Sequence, residues 1–190
     1  MEKQFIQLCK TGNLDDIKKL IATQYVNIHI DYEDGFTWAC KNGHLHIVKY
    51  LTNLYKIRHS LNIDYKIINI HSINEYGFRW ACLNGHLHIV EYLTNLHKIQ
   101  QSPNTDYKII NIHSCNEEGF IWACDNGHLH IVKYLINLYK IRQSRNTDYK
   151  IINIHANNNK EFRRTWNVYI VKYLLSIGSY LPNHKYIVLL

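Results

Sequence analysis

The 190-residue sequence has only two prolines and eight glycines, and none of its apolar runs approaches the roughly 18 residues of a membrane-spanning helix. Its first residues carry neither the basic stretch nor the long apolar stretch of a signal peptide. We therefore expect a cytoplasmic or nuclear protein that does not insert into a membrane. In that reducing environment the five cysteines do not indicate a disulfide framework.

Motifs for catalysis and for metal or cofactor binding are also missing. The sequence has no glycine-rich phosphate loop, no Ser-His-Asp arrangement and no pair of histidines four residues apart, as in the His-Glu-x-x-His zinc motif. These absences predict a protein that is not an enzyme and that holds no metal and no cofactor. With 46% hydrophobic residues the chain is too apolar to be disordered, and its net charge of +7 permits contacts with nucleic acid without establishing them.

A repeat of 42 residues dominates what is present. The string Trp-Ala-Cys-x-Asn-Gly-His-Leu-His-Ile-Val-x-Tyr-Leu begins at Trp38, Trp80 and Trp122. Residues 35–76 and 77–118 are identical at 32 of 42 positions, so they are copies of one structural unit. We expect a single domain with an N-terminal capping unit, three full units, a degenerate C-terminal capping unit and a hydrophobic tail, at residues 1–34, 35–76, 77–118, 119–160, 161–178 and 179–190.

Each full unit is predicted to contain two helices and a short extended segment. In the first full unit, apolar residues at helical spacing favour a short helix over residues 36–42 and a longer one over residues 44–58. The β-branched run at 67–71 favours an extended segment leading to a hairpin tip. Gly35 and Gly43 are expected at helix boundaries, where an unhindered backbone is useful.

These units resemble the ankyrin repeat. The resemblance rests on the Ala-Cys-x-Asn-Gly-His string, on the Leu-x-Ile-Val-x-Tyr-Leu string and on an Ile-Asn-Ile segment where the family usually has Val-Asn-Ala. It implies an all-α solenoid of helix-turn-helix units with hairpin-like extended segments, and it implies a module that binds proteins. Ankyrin units have about 33 residues, so each full unit carries an insert, as at residues 55–66. Repeats so rich in asparagine and isoleucine most resemble those of large DNA viruses, which implies a viral protein in the host cytoplasm.

The histidines fall mostly into columns, by which we mean positions that are equivalent in successive units. His44 and His46, two residues apart on one helix, are expected to point about 200° away from each other and so to bind no metal together. His44 also resembles the ankyrin histidine that forms local hydrogen bonds at a helix start. A second column is interpreted as solvated turn residues, with a pH-sensitive ladder as the alternative; it contains His29, His71, His113 and His155.

Cysteine and tryptophan form two further columns on the first helix of each unit. The cysteines are predicted to be small buried packing residues, and they are Cys9, Cys40, Cys82 and Cys124. Cys115 stands apart in a predicted hairpin tip and is the candidate reactive thiol. For Trp38, Trp80 and Trp122 the ankyrin resemblance favours packing in the core, and base stacking is the functional alternative.

Positions that differ between the copies indicate surface that the shared fold does not dictate. In ankyrin arrays the first-helix face and the hairpin tips line the concave groove that holds partners, so the resemblance and the variation point to one surface. Neutral drift at exposed positions is the alternative interpretation. The candidates for partner binding are Thr37, Lys41, Ile73, Tyr76, Arg79, Leu83, Cys115, Glu118, Ile121 and Asp125.

Charge is also sorted by column. The inserts are predicted to form a basic ridge, an alternative site for nucleic acid or anionic surfaces, with Lys56, Arg58, Lys66, Lys98, Lys108, Lys140, Arg142, Arg145 and Lys150. Each insert also carries an aspartate, so a ridge that is merely solvated is the simpler interpretation. An acidic fringe is predicted at the hairpin tips, with Asp31, Glu33, Asp34, Glu75, Glu117 and Glu118.

The tail at 179–190 is apolar, and we expect it to fold back over the last helix pair of a monomer. Self-association through this tail, as in an assembly subunit, is the alternative. Leu181-Pro182 faintly resembles the opening of the F-box module of ubiquitin-ligase adaptors, but too few residues follow for a complete module.

Overall fold

The computed structural model describes residues 1–59, 67–99, 109–145 and 167–177, and it describes side chains at 1–54, 67–96, 109–138 and 167–177. Nine helices form in this part of the chain, and no strand does. The predicted all-α class is therefore confirmed. Outside the described residues lie the predictions for His155, for the tail and for three basic-ridge residues, Lys66, Lys108 and Lys150.

The helices form two layers. The first helices of successive units lie side by side, and they are α1 (Glu2–Thr11), α3 (Ile30–Lys41), α5 (Ser72–Leu83) and α7 (Ser114–Asp125). Each packs against the second helix of its own unit, so that a second layer forms from α2 (Leu14–Thr23), α4 (Leu45–His59), α6 (Leu87–Ile99), α8 (Leu129–Arg145) and α9 (Val168–Ser176). The helix predicted to run to Arg58 is confirmed, and each insert therefore begins as helix.

Apolar residues at helical spacing build a continuous core between the layers. On α3, Phe36, Ala39 and Cys40 stand at i, i+3 and i+4 and are at most 1% exposed. Val48 and Leu51 of α4 face them and are equally buried. The same positions are buried in the next two units, so each unit shares its core with its neighbours, as in a solenoid.

The cysteine prediction is confirmed. Burial raises the pKa of the Cys9 thiol to about 12, and it raises the pKa of the Cys40 and Cys82 thiols further above the ordinary range. These free thiols are inert packing residues at neutral pH, since the thiolate is the reactive form. Cys124 is buried in the same way, whereas Cys115 is exposed.

Two glycine columns serve different purposes. Gly43 lies just beyond α3 with a φ of 80°, which confirms the predicted helix boundary. Gly35 is buried inside α3, where a Cβ would lie 2.4 Å from Cε1 of Phe5 in the preceding unit. Gly35 follows the left-handed residues 31–33, at the start of the regular part of α3, so the predicted boundary is confirmed, and its lack of a Cβ also allows the close approach of α1 and α3.

In the two copies of the segment that the structure describes, residues 67–71 and 109–113, the predicted hairpin does not form and no strand is present. Ile68 and Ile70 are buried, but the chain turns between them and α5, and the backbone N–H of His71 donates to Oδ1 of Asn69 at 3.1 Å. Helix α5 then opens with residues 73–75 in the left-handed region, at φ values of 47°, 55° and 59°. The first turns of α3 and α7 have the same left-handed conformation.

A buried glutamate supports each of these left-handed turns. Oε1 of Glu33 accepts from the ring of His29 at 2.8 Å and from the backbone N–H of Asn69, in the next unit, at 3.1 Å. Glu75 contacts His71 in the same way at 2.8 Å. Such contacts offset the cost of about 1–2 kcal/mol for each left-handed residue that is not glycine.

These contacts correct two predictions. Glu33, Glu75 and Glu117 are only 5–7% exposed, so the acidic fringe does not include them. The histidines opposite them are not solvated turn residues, because each ring contacts a buried carboxylate; they are His29, His71 and His113. Of the predicted fringe, Asp31 is exposed, and Asp34 and Glu118 are half-buried.

Candidate functional site

Two histidines in each full unit bind the preceding unit. Nε2 of His44 donates to the carbonyl of Lys10 at 2.9 Å, and Nε2 of His46 donates to the carbonyl of Gly12 at 2.9 Å. The two ring centroids are 5.8 Å apart. The predicted 200° separation is wrong, because α4 begins only at Leu45 and His44 precedes it. The expected local hydrogen bond of His44 is a link between units instead.

This histidine column is repeated with the same partners. Nε2 of His86 donates to the carbonyl of Lys41 at 3.0 Å, and Nε2 of His128 donates to that of Leu83 at 2.9 Å. Burial lowers the pKa of His86, against the opposing effect of its hydrogen bond to Lys41. The described residues contain no group of three or more His, Cys, Asp or Glu side chains that could hold a metal ion.

The tryptophans form a ladder across the outer face of the first-helix layer. Trp38, Trp80 and Trp122 are half-buried, so the predicted packing in the core is wrong. Two residues on a helix lie about 200° apart, and since Phe36 faces the core, Trp38 faces away from it. The ring centroids of Trp80 and Trp122 are 5.9 Å apart, and Tyr76 meets the edge of Trp80 at 5.7 Å.

Lysine side chains lie on the ring faces of this ladder. Nζ of Lys10 is 4.0 Å from the ring centroid of Trp38. Nζ of Lys41 is 4.5 Å from Trp38 and 3.8 Å from Trp80, so this ammonium group lies between two tryptophans. A cation over an aromatic face is attracted by about 0.5–1 kcal/mol at an exposed site. The first-helix face therefore combines positively charged lysines with half-buried tryptophan rings.

The partner-binding candidates divide into exposed and buried positions. Buried at 6–8% exposure are Thr37, Arg79 and Ile121. Half-buried are Lys41, Tyr76, Leu83 and Glu118, and exposed are Ile73, Cys115 and Asp125. Variation at these three buried positions therefore does not mark exposed binding surface.

Arg79 shows what this buried column does. Its guanidinium donates to the carbonyls of Asn74, at 2.9 Å, and Ile73, at 2.8 Å, and it forms an ion pair with Glu118 on α7. The same guanidinium carbon lies 5.7 Å from the ring centroid of Trp122. Arg79 therefore supports the left-handed turn that opens α5 and contacts Trp122 of the ladder, and at 6% exposure it offers little surface to a partner.

The basic ridge is only partly within the described residues. Six of its candidates lie in the last turns of second helices, at positions whose backbone alone is described: Lys56, Arg58, Lys98, Lys140, Arg142 and Arg145. Among the described residues, no helix is both long and apolar enough to cross a membrane.

The sequence analysis assigned the tryptophans to the core, with base stacking as the alternative, although the sequence contained a signal for their position outside it. Phe36 and Trp38 are two apart, so one helix cannot bury both on one face. The spacing of Phe36, Ala39 and Cys40 already defines the buried face.

Comparison with protein families supports this architecture. A family model described as ankyrin repeats in three copies matches residues 5–106 and 79–184. No curated protein and no solved structure matches the chain.

Proposed function

Because the chain belongs to the ankyrin-repeat family, we propose that it binds a partner protein through its first-helix face and has no catalytic activity of its own. In this family the corresponding face lines the concave groove that holds partners. The observation that carries the proposal is the ladder of Trp38, Trp80 and Trp122, whose half-buried rings lie on that face. Large aromatic residues are enriched among those that contribute most to binding at protein interfaces.

The proposed contact surface is narrower than the varying positions suggested. It contains the three tryptophans, together with Lys41, Tyr76 and Leu83, because these side chains reach the surface. Ile73 and Cys115 extend it onto the exposed left-handed turns. Thr37, Arg79 and Ile121 act instead by shaping the layer beneath it.

We also propose that the protein acts in the cytoplasm or the nucleus, and in the host cytoplasm if it is viral. The support for a reducing compartment is the set of four buried cysteines, which are all free thiols. We further propose that the protein is a monomer whose apolar tail, residues 179–190, covers the last helix pair.

Binding through this face can be tested by comparing partners captured by matched variants. Tyr76→Ala/Leu83→Glu changes two half-buried side chains of the face. Lys49→Glu/Glu91→Lys changes two exposed side chains of the second-helix layer and is the matched control. Proteins captured by the wild type and by the control, but lost with Tyr76→Ala/Leu83→Glu, are the expected result. A captured set that is identical for both variants, with both shown to be folded by circular dichroism, would contradict the proposal.

A further inference from the structure

We propose that the first-helix face binds an acidic segment of its partner, with carboxylates over Lys10 and Lys41 and apolar side chains over Leu83 and Trp122. This proposal rests on the proposed function and names the chemistry of the partner. It follows from how the charge changes along the ladder.

The residue after the buried cysteine differs from one first helix to the next. It is Lys10 in α1, Lys41 in α3 and Leu83 in α5, and all three are half-buried. In α7 the position is Asp125, so the positive charge of the first two helices is not continued. The face therefore changes from cationic at α1 and α3 to apolar at α5.

The two lysines keep charge available for a ligand. Among the described residues, neither ammonium group forms a salt bridge, and each is held against tryptophan rings. The next cation along the face, Arg79, is already paired with Glu118. A carboxylate is the ligand group that suits the ammonium groups of Lys10 and Lys41, because it can accept a charge-assisted hydrogen bond in addition to their contact with the tryptophan rings.

The covered ring faces favour a peptide over nucleic acid. Base stacking needs an open aromatic face, but Nζ of Lys10, in the preceding unit, and Nζ of Lys41, on the same helix as Trp38, already lie over the Trp38 ring. The Trp80 ring has Nζ of Lys41 at 3.8 Å from its centroid, and the ring centroid of Trp122 is 5.9 Å away. Two lysines would neutralise about two phosphates, which is fewer than the roughly six to ten of a typical DNA-binding protein.

The spacing of the helices sets the length of the segment. Neighbouring packed helices are about 8–10 Å apart, and an extended chain covers about 3.3 Å per residue. About three residues therefore span one unit. A segment of four acidic and four apolar residues covers α1 to α7.

Synthetic peptides with the full chain test this chemistry. The probes are fluorescein-labelled peptides of four glutamates joined to a Leu-Ile-Phe-Trp segment, in both orders, and the same two peptides with glutamine for glutamate. A twelve-nucleotide oligothymidine is the nucleic-acid probe. By fluorescence anisotropy we expect one glutamate peptide to bind at least tenfold more tightly than its glutamine counterpart and than oligothymidine.

Charge reversal assigns the binding to the lysines. Lys10→Glu/Lys41→Glu should lower the affinity for the glutamate peptide at least tenfold. The control Lys49→Glu/Lys133→Glu makes the same charge change at lysines that lie over Tyr92 and Tyr173 on the second-helix layer, and it should change affinity less than twofold. Lys10→Gln/Lys41→Gln removes the charges without reversing them, so it supplies the same comparison if the reversed variant does not fold.

Each other result overturns the proposal. Equal affinity for glutamate and glutamine peptides, no binding of any peptide, or equal losses from the two reversals would show that Lys10 and Lys41 do not select carboxylates. Tighter binding of oligothymidine than of any peptide would favour nucleic acid. If Lys10→Glu/Lys41→Glu still captures the partner that Tyr76→Ala/Leu83→Glu loses, the acidic-segment proposal fails while the proposed function stands.

Discussion

The junction between the second and third full units and the junction between α8 and α9 use the same columns with different residues. In the first, which we call the central junction, Oγ1 of Thr94 lies 2.6 Å from the hydroxyl of Tyr134, and His128 donates to the carbonyl of Leu83. In the second, the last junction, the threonine is replaced by Ile136 and the histidine by Asn167.

The difference shows that a histidine at this position joins two units, whereas the asparagine at the last junction only caps the final helix. Oδ1 of Asn167 accepts from the backbone N–H groups of Tyr169 and Ile170, so this side chain caps its own helix. The longer histidine at the equivalent position, His128, instead donates to a carbonyl of the preceding unit. Val168 is 56% exposed and Tyr169 is 74% exposed. Because the stability of a solenoid is roughly a sum over units and junctions, we expect opening to begin at α9.

The largest expected effect breaks the core of the central junction. Phe78 is 0% exposed and packs against Gly119 of the next unit, so Phe78→Ala should lower the free energy of unfolding by about 3–5 kcal/mol. Tyr169→Ala at the last junction should change it by less than about 0.5 kcal/mol. Urea unfolding followed by circular dichroism measures both, and losses of similar size would mean that the two junctions do not differ in this way.

A smaller effect isolates the hydrogen bond between second helices. In a double-mutant cycle, Thr94→Val and Tyr134→Phe should show a coupling energy of about 0.5–1.5 kcal/mol. The same cycle at the last junction, Ile136→Val with Tyr173→Phe, should show a coupling energy near zero because isoleucine offers no hydroxyl. Equal coupling energies at both places would remove the distinction.

The histidine column should make the junction between the first and second full units sensitive to acid, because His86 joins these two units. Since burial lowers the pKa of His86 in the folded chain, the unfolded chain binds this proton first as the pH falls from its ordinary pKa near 6.5. The contribution is present above that value and is lost as the pH falls through the lowered pKa. His86→Asn, which copies Asn167, should therefore reduce the fall in Tm between pH 7 and pH 5, and an unchanged fall would contradict this origin.

The smallest effect concerns the surface of the central junction. Cys115 is exposed on the left-handed turn that opens α7, while four other cysteines are buried. A thiol reagent should label one cysteine in the folded chain and five after unfolding. Cys115→Ser should abolish the labelling of the folded chain and change the free energy of unfolding by less than about 0.5 kcal/mol. Rapid labelling of several thiols without unfolding is the result that would disagree.

The sequence was sufficient to predict the helices, the unit length and the buried cysteines, because a 42-residue repeat shows every column three times. It failed where the chain leaves regular geometry. The rotation of about 200° between residues i and i+2 of a helix does not apply to His44 and His46, because His44 precedes its helix. It does apply to Phe36 and Trp38, which both lie on α3. Neither β-branched residues nor turn residues predicted three successive left-handed residues, because tertiary contacts of Glu33 support them.

The candidate site was only half predictable. Variation between copies identified Lys41 and Leu83, which lie on the surface, but it also selected Arg79, whose variation reflects packing between units. Variation cannot find Trp38, since the ladder is the same in every full unit.

The links between units have a consequence for how such a chain can grow. His86 reaches back to Lys41, and His128 reaches back to Leu83, across the same 45 residues, and each partner is a backbone carbonyl that any residue supplies. Duplicating the 42 codons of one unit therefore copies the histidine and the backbone carbonyl that form a junction together. The new junction forms with no compensating substitution, and side chains such as those of Lys41 and Leu83 are left to diverge afterwards.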